Sequence, residues 1–168
     1  MLFLNIIAAA DKNWGIGYKG NLLTHIKEDM LFFKEKTINK AVIMGKETFL
    51  SLPGQKPLPD RKNFVLTTNK DFKAEGAEVC SSIEEALSKA KENFKDEDIF
   101  FIGGERVYRE SEKFCDTAYI TNIDKEFEAD RFLNNYDEND SWVIKEEEMI
   151  KTEKGLYITF TTYKKAEH

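Results

Sequence analysis

The sequence predicts one α/β domain spanning residues 1–168, built on a central, mostly parallel, twisted sheet of about eight strands, with an antiparallel hairpin at its C-terminal edge and about four flanking helices. Three observations carry this. Short apolar runs alternate with helix-period segments as far as Glu112, as crossovers between parallel strands require. The runs Phe3–Ala9 and Ile99–Ile102 are almost continuously apolar, which fits strands covered on both faces. After Tyr119 the strand-like runs follow one another with no helical segment between them, which favours a hairpin.

In chain order, Leu2–Ala9 supplies the first strand. His25–Thr37 is helical, with Ile26, Met30 and Phe33 at the three-and-four spacing of one face. Ala41–Met44 and Glu47–Leu52 form the next strand and helix, and Asn63–Thr67 a further strand. Ser82–Asn93 is the third helix, with Ser81 and Ser82 as cap candidates and with Glu84 and Glu85 placed to favour its positive dipole end. Ile99–Ile102 and Glu105–Glu112 repeat the strand-then-helix order, and Ala118–Ile123, Trp142–Ile144 and Leu156–Tyr163 complete the sheet. The charged stretches Lys89–Asp98 and Lys145–Lys154 read as solvated surface.

Composition narrows the function. A formal net charge of -6 with no clustered Lys and Arg excludes a general nucleic-acid binder, so any anion must be gripped locally. Cys80 and Cys115 lack metal-ligand spacing, and two thiols in a chain of this length fit a reducing compartment better than a disulfide framework. The longest nearly apolar stretch, Leu2–Ala10, is too short to cross a bilayer and has no basic flank. The expectation is a cytoplasmic protein without metal, nucleic-acid or membrane partners.

Asp29 stands out because it falls among the apolar residues Ile26, Met30 and Phe33. An ionised group on a packing face costs several kcal/mol unless hydrogen bonds or a counter-charge satisfy it. No basic residue shares that face, which leaves a hydroxyl from elsewhere in the fold or a ligand with N–H donors at matching spacing. The plain alternative is a rim carboxylate that reaches water.

Three glycine-marked turns and one proline-rich turn add further candidates. Gly15–Gly20 spells GxGxxG, but Asp11–Trp14 separate it from the strand and Asn21–Thr24 from the helix, unlike a dinucleotide fingerprint; a mobile lid is the useful reading. In Ile102-Gly103-Gly104-Glu105-Arg106 strand, glycines and helix follow without a gap, so backbone can approach a ligand and the helix start can meet a pyrophosphate, with Arg106 adding charge. Met44-Gly45-Lys46-Glu47-Thr48 repeats that logic with a cation and a hydroxyl, and Thr67 and Thr68 end the next strand. Two such strand ends side by side make a cleft long enough for a dinucleotide. Arg61, after the rigid turn Pro57-Leu58-Pro59-Asp60, can clamp a carboxylate or pair with Asp60 at the surface.

Taken together, the chain resembles the dihydrofolate reductase family from about Leu2 to Tyr163. The residues that carry the resemblance are Ile7–Ala9; Ile16, Gly17 and Gly20; Asp29, Phe33 and Lys34; Val42–Gly45 and Thr48; Leu58, Pro59, Arg61, Lys62 and Asn63; Ile102–Gly104 with Tyr108; and Tyr119, Thr121 and Asp130. Each match is weak alone, and their joint order is specific. The resemblance implies reduction of 7,8-dihydrofolate by NADPH, through hydride transfer to pterin C6 and protonation of N5 by way of water. It implies that Asp29, supported by the Thr121 hydroxyl, binds the ring's N3 and 2-amino group. Ile7 and Ile102 would offer carbonyls to the pterin edge, with Ala8, Met30 and Tyr108 also around the substrate. Phe33, Leu52 and Leu58 would enclose the aminobenzoyl ring, and Arg61 would hold the glutamate α-carboxylate. Ala9 and Ile16 would border the nicotinamide, and Gly103, Gly104, Glu105, Arg106 and Val107 with Gly45–Thr48 would take the phosphates. Lys46, Leu66, Thr67 and Thr68 would face the adenosine end. A cis Gly103–Gly104 peptide and a monomer that also binds antifolate-type molecules complete the expectation.

The chain departs from the family at three places. Leu22, Leu23 and Thr24 stand where Leu, Pro and Trp are usual, which removes a group that usually helps hold water near the pterin. Glu105 stands at the third glycine of the phosphate turn, so its carboxylate must point away from the cofactor. Lys46 stands where arginine is common, keeping charge without the planar fork. Rival readings are a riboflavin-pathway reductase of the same fold type and a nucleotide-binding regulator without catalysis.

Overall fold

The computed structural model describes residues 3–166; Leu2, the expected start of the first strand, lies outside them. The elements are β1 (Leu4–Ala10), β2 (Gly15–Tyr18), β3 (Asn21–Leu22), α1 (Lys27–Thr37), β4 (Ala41–Gly45), α2 (Lys46–Ser51), β5 (Lys62–Leu66), β6 (Glu78–Cys80), α3 (Ile83–Ala90), β7 (Ile99–Phe101), α4 (Glu105–Ser111), β8 (Cys115–Ile123), β9 (Arg131–Phe132), β10 (Trp142–Lys151) and β11 (Tyr157–Lys165). Eight of these strands form one sheet in the order β10-β11-β8-β1-β7-β4-β5-β6. From β8 to β6 all pairings are parallel; β11 joins β8, and β10 joins β11, antiparallel. The predicted α/β architecture with its C-terminal hairpin is therefore the observed one.

The central strands are covered on both faces, and their alternate residues divide into two cores. Leu4, Ile6, Ala41, Ile43, Ile99 and Phe101 pack with Ile83, Leu87, Val107 and Tyr108 of α3 and α4. Ile7, Val42, Met44, Phe100 and Ile102 pack on the other face with Phe49 of α2 and the partly buried Phe32 and Phe33 of α1. The strand ends β4 and β7 lie side by side in the middle of the sheet, with Ile43 paired to Phe101, so the glycines that follow them face one another.

Several boundaries differ from the sequence reading. The third helix ends at Ala90, and β6 is a three-residue strand that the sequence does not announce. The stretch Lys145–Lys154 is solvated, yet most of it belongs to β10, paired along one side only to β11. Charges suit such an edge, because they discourage further strand addition.

Residues 11–24 are also more ordered in pattern than a lid loop. β3, β2 and β9 form a separate three-stranded sheet, and Gly15 and Gly17 sit within β2. A Cβ on Gly15 would lie 2.7 Å from Ala129 Cβ, so this glycine serves close packing and the GxGxxG match is incidental to phosphate binding.

Candidate active site

α1 opens at Ile26, an extended residue with no side-chain cap, and carries Glu28 and Asp29 in its first turn, where negative charge suits the dipole. Its inward face runs Asp29, Phe32, Phe33 and Thr37, the three-and-four spacing counted from Asp29. Phe32 stacks on Phe160 of β11 at 4.5 Å between centroids, and Thr37 is fully buried. This corrects the expected face: Ile26 is buried ahead of the helix, whereas Met30 is 56% exposed.

Docking by Phe32 sets Asp29 over β8. Asp29 Oδ1 accepts a 2.6 Å hydrogen bond from the Thr121 hydroxyl, and Thr121 is itself paired across to Ala9 of β1 and Phe160 of β11. Among the described residues Oδ2 has no donor, and because no fully buried side-chain polar atom lacks a partner, Oδ2 opens onto accessible space. Burial raises the Asp29 carboxyl above the ordinary aspartate range, partly offset by the Thr121 bond. One oxygen is thus held by the protein and the other is free to meet a donor.

The other residues expected at the substrate do not all fall on one face of the sheet. Tyr108, buried, donates its hydroxyl to the Ile7 carbonyl at 2.8 Å; burial raises its pKa, so it remains a donor. Ile7 and Ile102 share one cluster with the partly buried Phe33, Leu52 and Leu58, and Ala8 packs on the opposite core. Arg61 is aimed by its turn: the buried Asn63 accepts from Leu58 N and donates to the carbonyls of Leu58 and Arg61 at 2.9–3.0 Å. The guanidinium then donates to Pro59 O and to Thr37 Oγ1 and lies 6.0 Å from the Phe33 ring centre. Among the described residues it has no carboxylate within ion-pair distance, so the surface pair with Asp60 does not form. Burial lowers its pKa against the opposing pull of Asp60.

On the other side of the sheet centre, Gly45 N donates to Gly103 O at 2.8 Å, joining the two strand-to-helix turns. Gly103 has φ +115°, and a Cβ there would meet the Tyr108 ring at 3.1 Å, so only glycine fits. The Gly103–Gly104 peptide is cis, as the resemblance implied. A Cβ on Gly104 would sit 3.5 Å from the Thr48 hydroxyl, and one on Gly45 would sit 3.4 Å from Val107, which places both helix starts on one bare backbone cradle. Ala9 packs with Ile26 and Ile123, while Ile16 and Leu66 lie in or against the main core.

Most of the expected cofactor contacts beyond the cradle touch other protein groups. Arg106 pairs with Glu110 at 2.9 Å in solvent. The Lys46 ammonium lies 5.6 Å from the Phe72 ring centre. Thr68 is exposed, and the Thr67 hydroxyl accepts from Asn69 N. Glu105 turns its carboxylate to Phe132 N and Arg109, away from the glycine turn as expected. Among the described residues no group of three or more potential metal ligands occurs, and no helix is long and apolar enough to cross a membrane.

The comparisons with known proteins bear on this arrangement. The family model described as dihydrofolate reductase matches residues 3–165. The chain belongs to the dihydrofolate reductase family. It is 35% identical to the dihydrofolate reductase of Bacillus subtilis over 163 residues, covering 96% of this chain and 94% of that one. The Enterococcus faecium dihydrofolate reductase is 39% identical over 150 residues, covering 89% and 88% respectively. A solved dihydrofolate reductase from Enterococcus faecalis, complexed with NADP(H) and RAB-propyl, superposes with a TM-score of 0.87 at 35% identity over 98% of this chain and 97% of that chain.

Sequence reasoning missed the buried acid Asp11. Asp11 is 3% exposed and accepts from Asn13 N, Gly15 N and Phe127 N at 2.8–2.9 Å. Its signal was present in Asp11-Lys12-Asn13-Trp14-Gly15, an acid followed by turn residues, which is the pattern of a side chain capping its own loop.

Proposed function

We propose that this chain reduces 7,8-dihydrofolate to 5,6,7,8-tetrahydrofolate with NADPH, the activity for which its family is named. The observation that carries the reading is Asp29: an acid with one oxygen fixed by Thr121 and the other accessible, between a helix and the sheet. A flat heterocycle with adjacent ring N–H and amino donors completes that half-satisfied group, which is how dihydrofolate and antifolate-type molecules are recognised. Ile7 and Ile102 line the ring's edge and Phe33, Leu52 and Leu58 hold the apolar middle. Met30, exposed beside Asp29, is left for the substrate to cover. Arg61, free of acidic partners, takes the glutamate carboxylate in a planar fork.

The glycine cradle fits NADPH. Gly45, Gly103 and Gly104 present bare backbone at two adjoining helix starts, with Thr48 and Val107 beside them. Lys46, now over the Phe72 ring, would swing to the adenosine end, with Leu66, Thr67 and the exposed Thr68 beyond it. When bound, NADPH supplies the hydride. The protein's own part is alignment, with Ala9 and Ile16 at the nicotinamide, and electrostatics, with Asp29 polarising the pterin while water brings the proton to N5. The two buried free thiols, Cys80 and Cys115, suit a cytoplasmic enzyme. The acidic run Glu146–Glu148 on the open edge of β10 suits a monomer.

Loss of NADPH absorbance on adding dihydrofolate tests the reading. Oxidation that depends on dihydrofolate is expected, and none with fully folded protein would reject it. A riboflavin-pathway reductase would instead consume NADPH with a ribosylaminopyrimidine, and a non-catalytic regulator would bind NADPH and consume none.

A further inference from the structure

Glu105 follows the glycine turn directly, and an anion there should repel any phosphate the turn receives. Its carboxylate is committed elsewhere. Oε2 accepts from Phe132 N of β9 at 2.6 Å, and Oε1 is held from behind by Arg109 one helical turn on at 3.2 Å. Its side chain is 25% exposed, and the bond to Phe132 lies at the surface. β9 in turn belongs to the small sheet: Asp130 N donates to Gly17 O at 2.9 Å and Leu133 N to Trp14 O at 2.8 Å, gripping β2 on both sides of Ile16. A continuous path of hydrogen bonds therefore runs from the first residue of α4, through β9, to the strand that carries Ile16.

We infer that Glu105 is a positioning residue: its carboxylate straps β9 to the first turn of α4 and so fixes β2, with Ile16, relative to the glycine cradle. This rests on the reading that the cradle and Ile16 border one NADPH. It goes beyond that reading in giving the acid a task other than phosphate contact. The strap acts on how long the cofactor stays, because the segment beside the nicotinamide is held by a residue adjoining the phosphates.

The test uses Glu105→Ala, which removes the acceptor, and Glu105→Gln, whose amide oxygen still accepts from Phe132 N. Glu105→Ala is expected to release NADPH about 5- to 20-fold faster in stopped-flow displacement, the range for a lost hydrogen bond to a charged group that is partly solvated. Its amide hydrogen exchange should quicken at Phe132, Asp130 and Leu133 but not at Ala86 in α3. Glu105→Gln should recover most of both effects. Unchanged NADPH release in Glu105→Ala overturns the strap, as does a Glu105→Gln protein as defective as the alanine variant. Should the wild-type protein fail to bind NADPH, the cofactor reading falls instead, and that result appears before any variant is made.

Discussion

Asp11, in the loop after β1, accepts three backbone N–H bonds divided over both carboxylate oxygens and is 3% exposed. Asp29, in the first turn of α1, accepts one bond from Thr121 on one oxygen, and its other oxygen opens onto accessible space. Both acids are withdrawn from bulk water, but only the first has its charge answered by the protein itself. A fully answered carboxylate ties chain segments together, here the start of β2 to the Phe127 region. A half-answered one costs stability and waits for an external donor. The count of donors, more than the burial, separates architecture from chemistry in this molecule.

The comparison breaks most directly at Asp11. Asp11→Asn keeps one acceptor oxygen and sets an amide N–H₂ against a backbone N–H, whichever way it is turned. Losing one or two charge-assisted bonds and leaving a buried donor unpaired should destabilise the protein by about 3 kcal/mol. Urea unfolding measures this as a lower midpoint at unchanged slope. A change below about 0.5 kcal/mol, the size of an ordinary surface substitution, would mean that Asp11 is not structural.

At Asp29 the same substitution should strike function. Asp29→Asn keeps an acceptor for the Thr121 hydroxyl but loses the negative charge proposed to meet the pterin's donors. Turnover at neutral pH is expected to fall roughly 100-fold, while the dissociation constant for NADPH stays within about 2-fold, because the charge acts on the reacting ring and not on the cofactor. Steady-state assays paired with NADPH fluorescence titration separate the two. Near-native turnover would remove Asp29 from the pterin site and dissolve its contrast with Asp11.

The contrast also shows what the sequence made legible. The parallel core was readable because Phe3–Ala9 and Ile99–Ile102 are apolar on alternate and intervening residues alike, a pattern set by covering both faces. The glycine turns were readable because strand, Gly and helix adjoin in the chain, so local order is spatial order. The small sheet was not, because β2 and β9 meet across more than a hundred residues and each is too short for a period to show. The extent of β10 was hidden by its charges, which suit an exposed edge strand and a loop equally well. Asp29 itself was singled out on a face partly misdrawn: Phe32, not Met30, anchors α1, and adjacent phenylalanines blur which of them points inward. Thr121 as its partner followed only from the family resemblance, since nothing in the spacing of residues 29 and 121 announces a contact.

The smallest effect is the most discriminating, because it asks whether Asp29 is a liability in the absence of substrate. Burial raises its carboxyl above the ordinary aspartate value, so between the unfolded and folded values the native protein binds more protons than the unfolded chain. Stability therefore falls as pH rises through that window, and the full cost of the charge is present on its alkaline side, at neutral pH. Asparagine cannot ionise. Asp29→Asn should match the wild-type protein on the acid side of the window and exceed it in stability at neutral pH. Other carboxylates titrate alike in both proteins and cancel in the difference. Paired urea melts from acid to neutral pH measure it, and a saturating antifolate should reverse the order, because the ligand's donors then stabilise only the protein that keeps the charge. If Asp29→Asn were instead less stable at neutral pH without ligand, Asp29 would be paying its own way like Asp11, and its open oxygen would need another explanation than a substrate.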